Sequence, residues 1–371
     1  MDIYDEIGVA RVVNASGSMT YLGGSLMAPE VVEAMGRAAR SFVRVGDLMQ
    51  WAGREIARMT GAEAGLVTTG AAGGMLLATA ACMTGMERGR MQRLPDASGM
   101  RDEVVAQHLH RVPFDHAVRT AGARLVVAGN AEGTQAWELE AAIGERTAAL
   151  LHVVLDPQPT VTLEQAVRIA HARGLPVILD AAAELPPLEN LRNYVAMGVD
   201  LVIFSGGKDI GGPNDTGILC GRRDLVMAAE LQAFPNQGIG RPLKVSKEQI
   251  VGLIWALRRY VQTDMVVEKR RWEAMAERMR DGLQGIGGVR AEVAMARGGP
   301  RPLCIPRVRV QLDEQTLGRT QAQVLECLAG ERPAVEVYPE PASSALWLNP
   351  QHLSPGEDEY VAARLRAALG G

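Results

Sequence analysis

The middle of the chain reads as short continuous apolar runs separated by stretches with helical spacing. Glu103–Gln107 (EVVAQ), Arg124–Ala128 (RLVVA) and the longer Thr147–Leu155 (TAALLHVVL) predict buried strands. Leu163–Arg173 has helical spacing and is followed by Gly174, a residue suited to the left-handed position that ends a helix. Strands are again predicted at Leu175–Asp180 (LPVILD), Asp200–Ser205 (DLVIFS) and Thr216–Cys220 (TGILC). Strands apolar on both faces, several of them separated by helices, imply a mainly parallel sheet covered on both sides.

The pattern changes further along. Ser246-Lys247-Glu248-Gln249 is a capping box, and behind it Ile250, Leu253, Ile254 and Leu257 recur at helical spacing. Glu268–Arg280 is helical and charge-rich, and 296–302 (ARGGPRP) is a loop. Arg307–Leu312, Val335–Tyr338 and Ala345–Leu348 then alternate as strands, and a last helix starts near Gly356-Glu357-Asp358. The expected organisation is an N-terminal arm with helices over 1–60, a large α/β domain over 61–250 and a smaller α+β domain over 251–371.

Composition narrows the function. With 371 residues, 47% hydrophobic and 22% charged, the chain is an ordinary folded protein with room for two domains. Aromatic residues make up only 4% and the net charge is −4, which argues against a nucleic-acid binder. No apolar run is long enough to span a membrane, and the acidic start (Met1-Asp2-Ile3-Tyr4-Asp5-Glu6) is not a signal peptide. Cys82, Cys220, Cys304 and Cys327 are far apart in apolar stretches. They fit neither a metal site nor a disulfide scaffold, and imply reduced residues in a cytoplasmic protein.

Three features carry candidate chemistry. In Phe204-Ser205-Gly206-Gly207-Lys208-Asp209-Ile210-Gly211-Gly212-Pro213 a lysine follows a buried strand between two glycine pairs. The Asp209 that follows it excludes the phosphate-loop pattern. Asp180 ends an apolar strand, where parallel sheets bind ligands and an unpaired carboxylate is costly. Thr68-Thr69-Gly70-Ala71-Ala72-Gly73-Gly74 opens an apolar helix, leaving backbone N–H groups suited to phosphate. Each alone has a plain structural reading: a surface-turn lysine, a turn or N-cap aspartate, an ordinary N-cap. Taken together, their order matches pyridoxal 5′-phosphate (PLP) enzymes of fold type I.

The wider motif set resembles the selenocysteine synthase-like family, which contains L-seryl-tRNA selenium transferase and D-glucosaminate-6-phosphate ammonia-lyase. The resemblance runs over nearly the whole chain. It includes Val13-Asn14-Ala15-Ser16-Gly17, Leu22-Gly23-Gly24-Ser25, Gly61-Ala62-Glu63 and the 68–74 turn. It continues through Asp180-Ala181-Ala182-Ala183-Glu184, the lysine loop with Thr216-Gly217, and Gly238-Ile239-Gly240-Arg241-Pro242 with Lys244.

The resemblance implies a PLP-dependent transferase fold of type I: a large, mainly parallel α/β domain with a smaller C-terminal α+β domain. It implies that Lys208 bonds to the cofactor aldehyde carbon and that Asp180 keeps the ring nitrogen protonated. Thr69, Gly70, Ala71 and Ser205 would bind the cofactor phosphate. His110, in Gln107-His108-Leu109-His110-Arg111, would lie against the cofactor ring; as plain strand-end residues His108 and His110 would face alternately, and they lack a third metal ligand nearby. Arg241 would clamp a substrate carboxylate or phosphate, or else be a surface arginine. The family motifs begin by residue 13, leaving no room for the transferase's tRNA-binding region.

The short form resembles the ammonia-lyase branch most, and that resemblance implies α,β-elimination from a hydroxylated amino acid or amino sugar acid, giving a 2-oxo acid and ammonia. Lys208 would take the Cα proton, and protonated Lys208 or His110 would help expel the hydroxyl. Racemisation and aldol cleavage begin from the same carbanion and stay open. Selenium transfer on tRNA, or a non-catalytic binding protein, is a weaker alternative. The expected partners are a small-molecule amino acid and further copies of the chain, with no nucleic acid and no membrane.

Overall fold

A computed structural model describes residues 3–154, 159–295 and 301–370. In chain order its strands are β1 (Val12–Ala15), β2 (Ala64–Thr69), β3 (Glu103–Gln107), β4 (Arg124–Ala128), β5 (Thr147–Val153) and β6 (Val177–Asp180). They continue as β7 (Leu201–Ser205), β8 (Thr216–Gly221), β9 (Val289–Met295), β10 (Pro306–Leu312), β11 (Ala334–Pro339) and β12 (Ala345–Leu348). The predicted end of the third apolar run, Leu155, and most of the 296–302 loop lie outside the described residues.

The chain divides into two compact units, Met27–Gln262 and Met1–Leu26 with Thr263–Gly371. This differs from the sequence division in two places. The expected boundary at 250 falls inside the helix Lys247–Tyr260, whose Ile250, Leu253, Ile254 and Leu257 are buried in the core of the Met27–Gln262 unit. The first 60 residues are also split, because β1 pairs in parallel with β11, Val12 opposite Ala334 and Ala15 opposite Val337. Local patterning carries no trace of a pairing so distant in sequence.

The Met27–Gln262 unit holds a seven-stranded sheet in the order β2-β8-β7-β6-β5-β3-β4. The run from β7 to β4 is parallel, while β8 is antiparallel to both β7 and β2. The strands β3, β5, β6 and β8 are buried along their whole length, which is why they read as unbroken apolar runs. The helix Gly70–Thr84 is almost entirely buried and contacts β2, β5, β6, β7 and β8. It is apolar all round, as a helix without a solvent face must be. The other unit holds the sheet β1-β11-β12-β10-β9, with its own core including Val308, Val310, Leu346, Leu348 and Met279.

β2 was not evident in the sequence. Its residues AGLVTT mix glycine, alanine and threonine, and it passes directly into a helix, so no period-2 signal develops.

Asp200 fixes the entry to the parallel strands. Its carboxylate accepts hydrogen bonds from the Val177 N–H at 2.8 Å and from Arg222 at 3.0 Å, and it meets His171 at 2.8 Å. It is 4% exposed, so its loss strands a buried backbone donor. Asp200→Ala should therefore destabilise the protein by about 1.5–3 kcal/mol, read as a lowered midpoint in urea unfolding.

Candidate functional site

The C-terminal ends of β5, β6 and β7 lie side by side. Asp180, the last residue of β6, stands between Val153 of β5 and Ile203 of β7 in register. Its main chain is fixed there, with the Val154 N–H donating to its carbonyl at 3.3 Å. The carboxylate accepts from the Ala182 N–H at 3.1 Å and is only 8% exposed. Burial raises its pKa above the ordinary carboxylate value, outweighing the Ala182 N–H and then the charge of Lys208, which pull it down. The structure thus brings Asp180 and Lys208 within electrostatic reach of each other.

Lys208 sits in a tightly folded loop after β7. The Gly206 N–H donates to the Thr216 carbonyl and the Gly212 N–H to the Gly206 carbonyl, both at 2.8 Å. The Gly211 N–H closes on the Lys208 carbonyl at 2.9 Å. Two glycines are needed for contact rather than for flexibility. A Cβ on Gly207 would collide with the Asn214 backbone, and one on Gly217 with the carbonyl of Gly70. The second contact matters because Gly217, in β8 just after the lysine loop, seats that corner against the start of the helix Gly70–Thr84. The Gly70 N–H donates to the Asp215 carbonyl at 2.8 Å, joining the two segments directly. Ser205, at the end of β7, pairs with Gly217 in the same corner.

The helix start is uncapped. Thr69 is the N-cap residue, yet its side chain makes no capping bond, and its Oγ1 is buried with no hydrogen-bond partner among the described residues. Thr69, Gly70 and Ala71 are all half-buried. A buried hydroxyl without a partner is costly unless something accepts from it.

His108 and His110 do not extend the strand as alternating residues. They form a short 3-10 turn after β3, with His108 exposed and His110 3% exposed. His110 meets His152 of β5 edge to face at 4.3 Å, and its Nδ1 lies 3.4 Å from the Val153 N–H. The pKa of His110 is pushed down to about 4 by burial. Since Val153 is the register partner of Asp180, His110 stands at the same strand ends.

Arg241 is half-buried, and its guanidinium lies over the Phe234 ring at 5.1 Å. Lys244 shares that ring at 5.7 Å. The loop rests on the buried helix, where Gly240 packs too closely against Leu77 for a Cβ to fit.

Residues 12–285 match the family described as L-seryl-tRNA selenium transferase. The chain belongs to that family. Within it, the chain is 36% identical to the D-glucosaminate-6-phosphate ammonia lyase of Salmonella typhimurium, covering 98% of this chain and 97% of that one. It is 37% identical to a 5′-C-glycyluridine monooxygenase-decarboxylase from Streptomyces sp, covering 99% and 92%. A solved structure of D-glucosaminate-6-phosphate ammonia-lyase superposes with a TM-score of 0.86 at 35% identity, covering 100% of this chain and 98% of that one. A cysteine desulfurase from Escherichia coli shares the fold at a TM-score of 0.58 and 18% identity, covering 97% and 95%. The fold is the PLP-dependent transferase fold of type I.

The residues present suit that fold's cofactor. A phosphate would find the unpartnered Thr69 hydroxyl and the positive end of a 15-residue helix. A protonated ring nitrogen would supply the cation that the buried Asp180 carboxylate needs.

Sequence reasoning passed over Gln107 and His152. Gln107 is fully buried at the end of β3 and His152 is 6% exposed near the end of β5. The only available signal was a polar residue near the C-terminal end of an otherwise apolar strand.

Thr69→Val replaces a stranded hydroxyl with a methyl of the same shape. Its melting temperature without cofactor should match or exceed that of the unsubstituted protein. Its affinity for PLP should fall about ten- to a hundredfold, the worth of one hydrogen bond to a charged group. Unchanged affinity in equilibrium dialysis would remove Thr69 from the phosphate site.

Proposed function

We propose that this protein is a PLP-dependent lyase. It converts a hydroxylated amino acid or amino sugar acid to a 2-oxo acid and ammonia by α,β-elimination. The observation that carries the reading is the buried Asp180 carboxylate at the end of β6, beside the strand that leads into the Lys208 loop, in a chain 36% identical over nearly its full length to an ammonia lyase. The cofactor supplies an electron sink for the pair left at Cα when its proton is removed.

The protein's own residues do the rest. Thr69, Gly70, Ala71 and Ser205 bind the cofactor phosphate at the helix start. Asp180 holds a proton on the ring nitrogen and so keeps the ring electron-poor. Lys208 would hold the cofactor through its Nζ, and that amine, once free, would take the Cα proton. A proton delivered to the β-hydroxyl lets it leave as water. Hydrolysis of the released enamine consumes one water and yields the oxo acid and ammonia. His110 would lie against the ring. Arg241, on its Phe234 platform, clamps an anionic group of the substrate.

A second reading rests on the 37% identity to the monooxygenase-decarboxylase. The same carbanion would then lead to oxygen-dependent loss of the carboxylate. Racemase and aldolase chemistry remain alternatives on the same residues.

The working form is a homodimer or a larger homo-oligomer in the cytoplasm, acting on a small molecule and not on nucleic acid. Phe42 is fully exposed, with the half-exposed Val32 and Val43 among the other exposed apolar side chains of its unit. A fully exposed phenylalanine gains from burial against a second copy. No disulfide joins the four cysteines, and no described helix is long and apolar enough to cross a membrane. The net charge of −4 argues against binding tRNA. Light scattering should give at least a dimer, and a fully active monomer would contradict it.

The reaction is tested with D- and L-hydroxy amino acids and amino sugar acids. Ammonia and 2-oxo acid should form in equal amounts without oxygen. Oxygen-dependent carbon dioxide release would establish the second reading, aldehyde with glycine the aldolase, and Cα deuterium exchange without ammonia the racemase. Asp180→Asn should fold normally and lose about a hundred- to a thousandfold in turnover, the scale seen when charge stabilisation is removed. Full turnover in that variant would refute the role of the carboxylate.

A further inference from the structure

Among the described residues His110 has partners at one ring nitrogen, and both of those partners are donors. Nδ1 lies 3.4 Å from the Val153 N–H and 3.5 Å from Gln107 Nε2. The orientation of the Gln107 amide is fixed independently. Its Oε1 accepts from the Val161 N–H at 2.7 Å and its Nε2 donates to the Val161 carbonyl at 2.9 Å. Reversing the amide would set donor against donor and acceptor against acceptor, so the group facing His110 is an NH2. A neutral imidazole carries one donor and one acceptor nitrogen, and the partner of one decides the proton on the other. A proton on Nδ1 would point at two N–H groups.

We propose that Gln107, together with the Val153 N–H, holds His110 as the neutral tautomer protonated on Nε2, making Gln107 a positioning residue and His110 a fixed hydrogen-bond donor. This rests on the reading that His110 faces the cofactor. It deepens that reading, because of the two acids considered for expelling the hydroxyl only Lys208 remains. The lone pair of His110 points into the protein at Nδ1, so the ring cannot take up a proton and pass it on. Nor can it surrender the Nε2 proton without becoming an anion in a buried place. The proton removed from Cα therefore stays on Lys208 Nζ until Lys208 delivers it to the leaving hydroxyl.

The surroundings of the ring agree. His152, from β5, is the titratable side chain that meets it directly, edge to face at 4.3 Å. Burial first, and then the neighbouring His110, push the pKa of His152 down to about 3, so it brings no positive charge to the ring. His152 Nδ1 is itself buried without a hydrogen-bond partner among the described residues. Gln107 is fully buried, and its clasp on Val161 ties the end of β3 to the segment before the helix Leu163–Ala172. The amide therefore cannot swing away from His110 without breaking two short hydrogen bonds.

The test is a long-range proton–nitrogen correlation spectrum of protein labelled with 15N-histidine, recorded with and without PLP. His110 is assigned by its disappearance in His110→Gln. The expected pattern for His110 at neutral pH is a proton on Nε2 and a bare Nδ1 in both forms. A proton on Nδ1, or on both nitrogens, would overturn the proposal. Gln107→Glu places an acceptor where the NH2 stood, while keeping an oxygen for the Val161 N–H. In that variant His110 should move to the Nδ1-protonated or doubly protonated form, and a new ionisation should enter the pH profile of kcat. An unchanged tautomer in a folded Gln107→Glu protein would overturn the role of Gln107. If that variant does not fold, the spectrum of the unsubstituted protein still decides the tautomer. Because the spectrum is also read without cofactor, failure to bind PLP or to release ammonia would defeat the functional reading alone.

Discussion

A carboxylate buried at the end of a strand is the constraint on which the rest of the site depends. Asp180 is 8% exposed, and its hydrogen bond to the Ala182 N–H is a modest return for losing water. Left alone, such a group would protonate and become useless as a counter-ion. The charge of Lys208 opposes that, and a protonated ring nitrogen would oppose it more strongly. In the proposed function the cost of burying the carboxylate would become selectivity for a cationic ring beside a lysine.

The arrangement of the sheet makes that encounter possible. In the parallel run, β5, β6 and β7 all end at one edge and deliver His152, Asp180 and Ser205 close together. The antiparallel β8 then returns the chain, so the loop carrying Lys208 folds over that edge instead of leaving the sheet. β2 lies beyond β8, so the helix that follows it starts against the same loop, through Gly217 and Asp215. Helix start, lysine and carboxylate come from three distant stretches of sequence, but from one corner of one sheet.

Much of this was legible from local pattern. The buried strands read as unbroken apolar runs because both their faces are covered, and the lysine loop stood out through its glycines. The capping box at Ser246 was correct, with the Gln249 N–H donating to the Ser246 hydroxyl at 3.2 Å. What escaped was non-local. The pairing of β1 with β11 decides which unit residues 12–15 join, and no short window contains both strands. The stacking of Arg241 on Phe234 needs the loop to close first. Gln107 looked like the polar end of a strand, and its grip on Val161 exists only once a distant segment is in place. The roles of individual side chains in the reaction depend on such contacts, and a linear reading cannot supply them.

The central claim is that Lys208 is the residue that joins the cofactor next to Asp180. Borohydride reduction of protein saturated with PLP, followed by proteolysis and peptide mass mapping, tests it most directly. The account predicts a pyridoxyl group on the peptide carrying Lys208, at one per chain. A label on Lys244 or Lys247, or no label on any lysine, would contradict it.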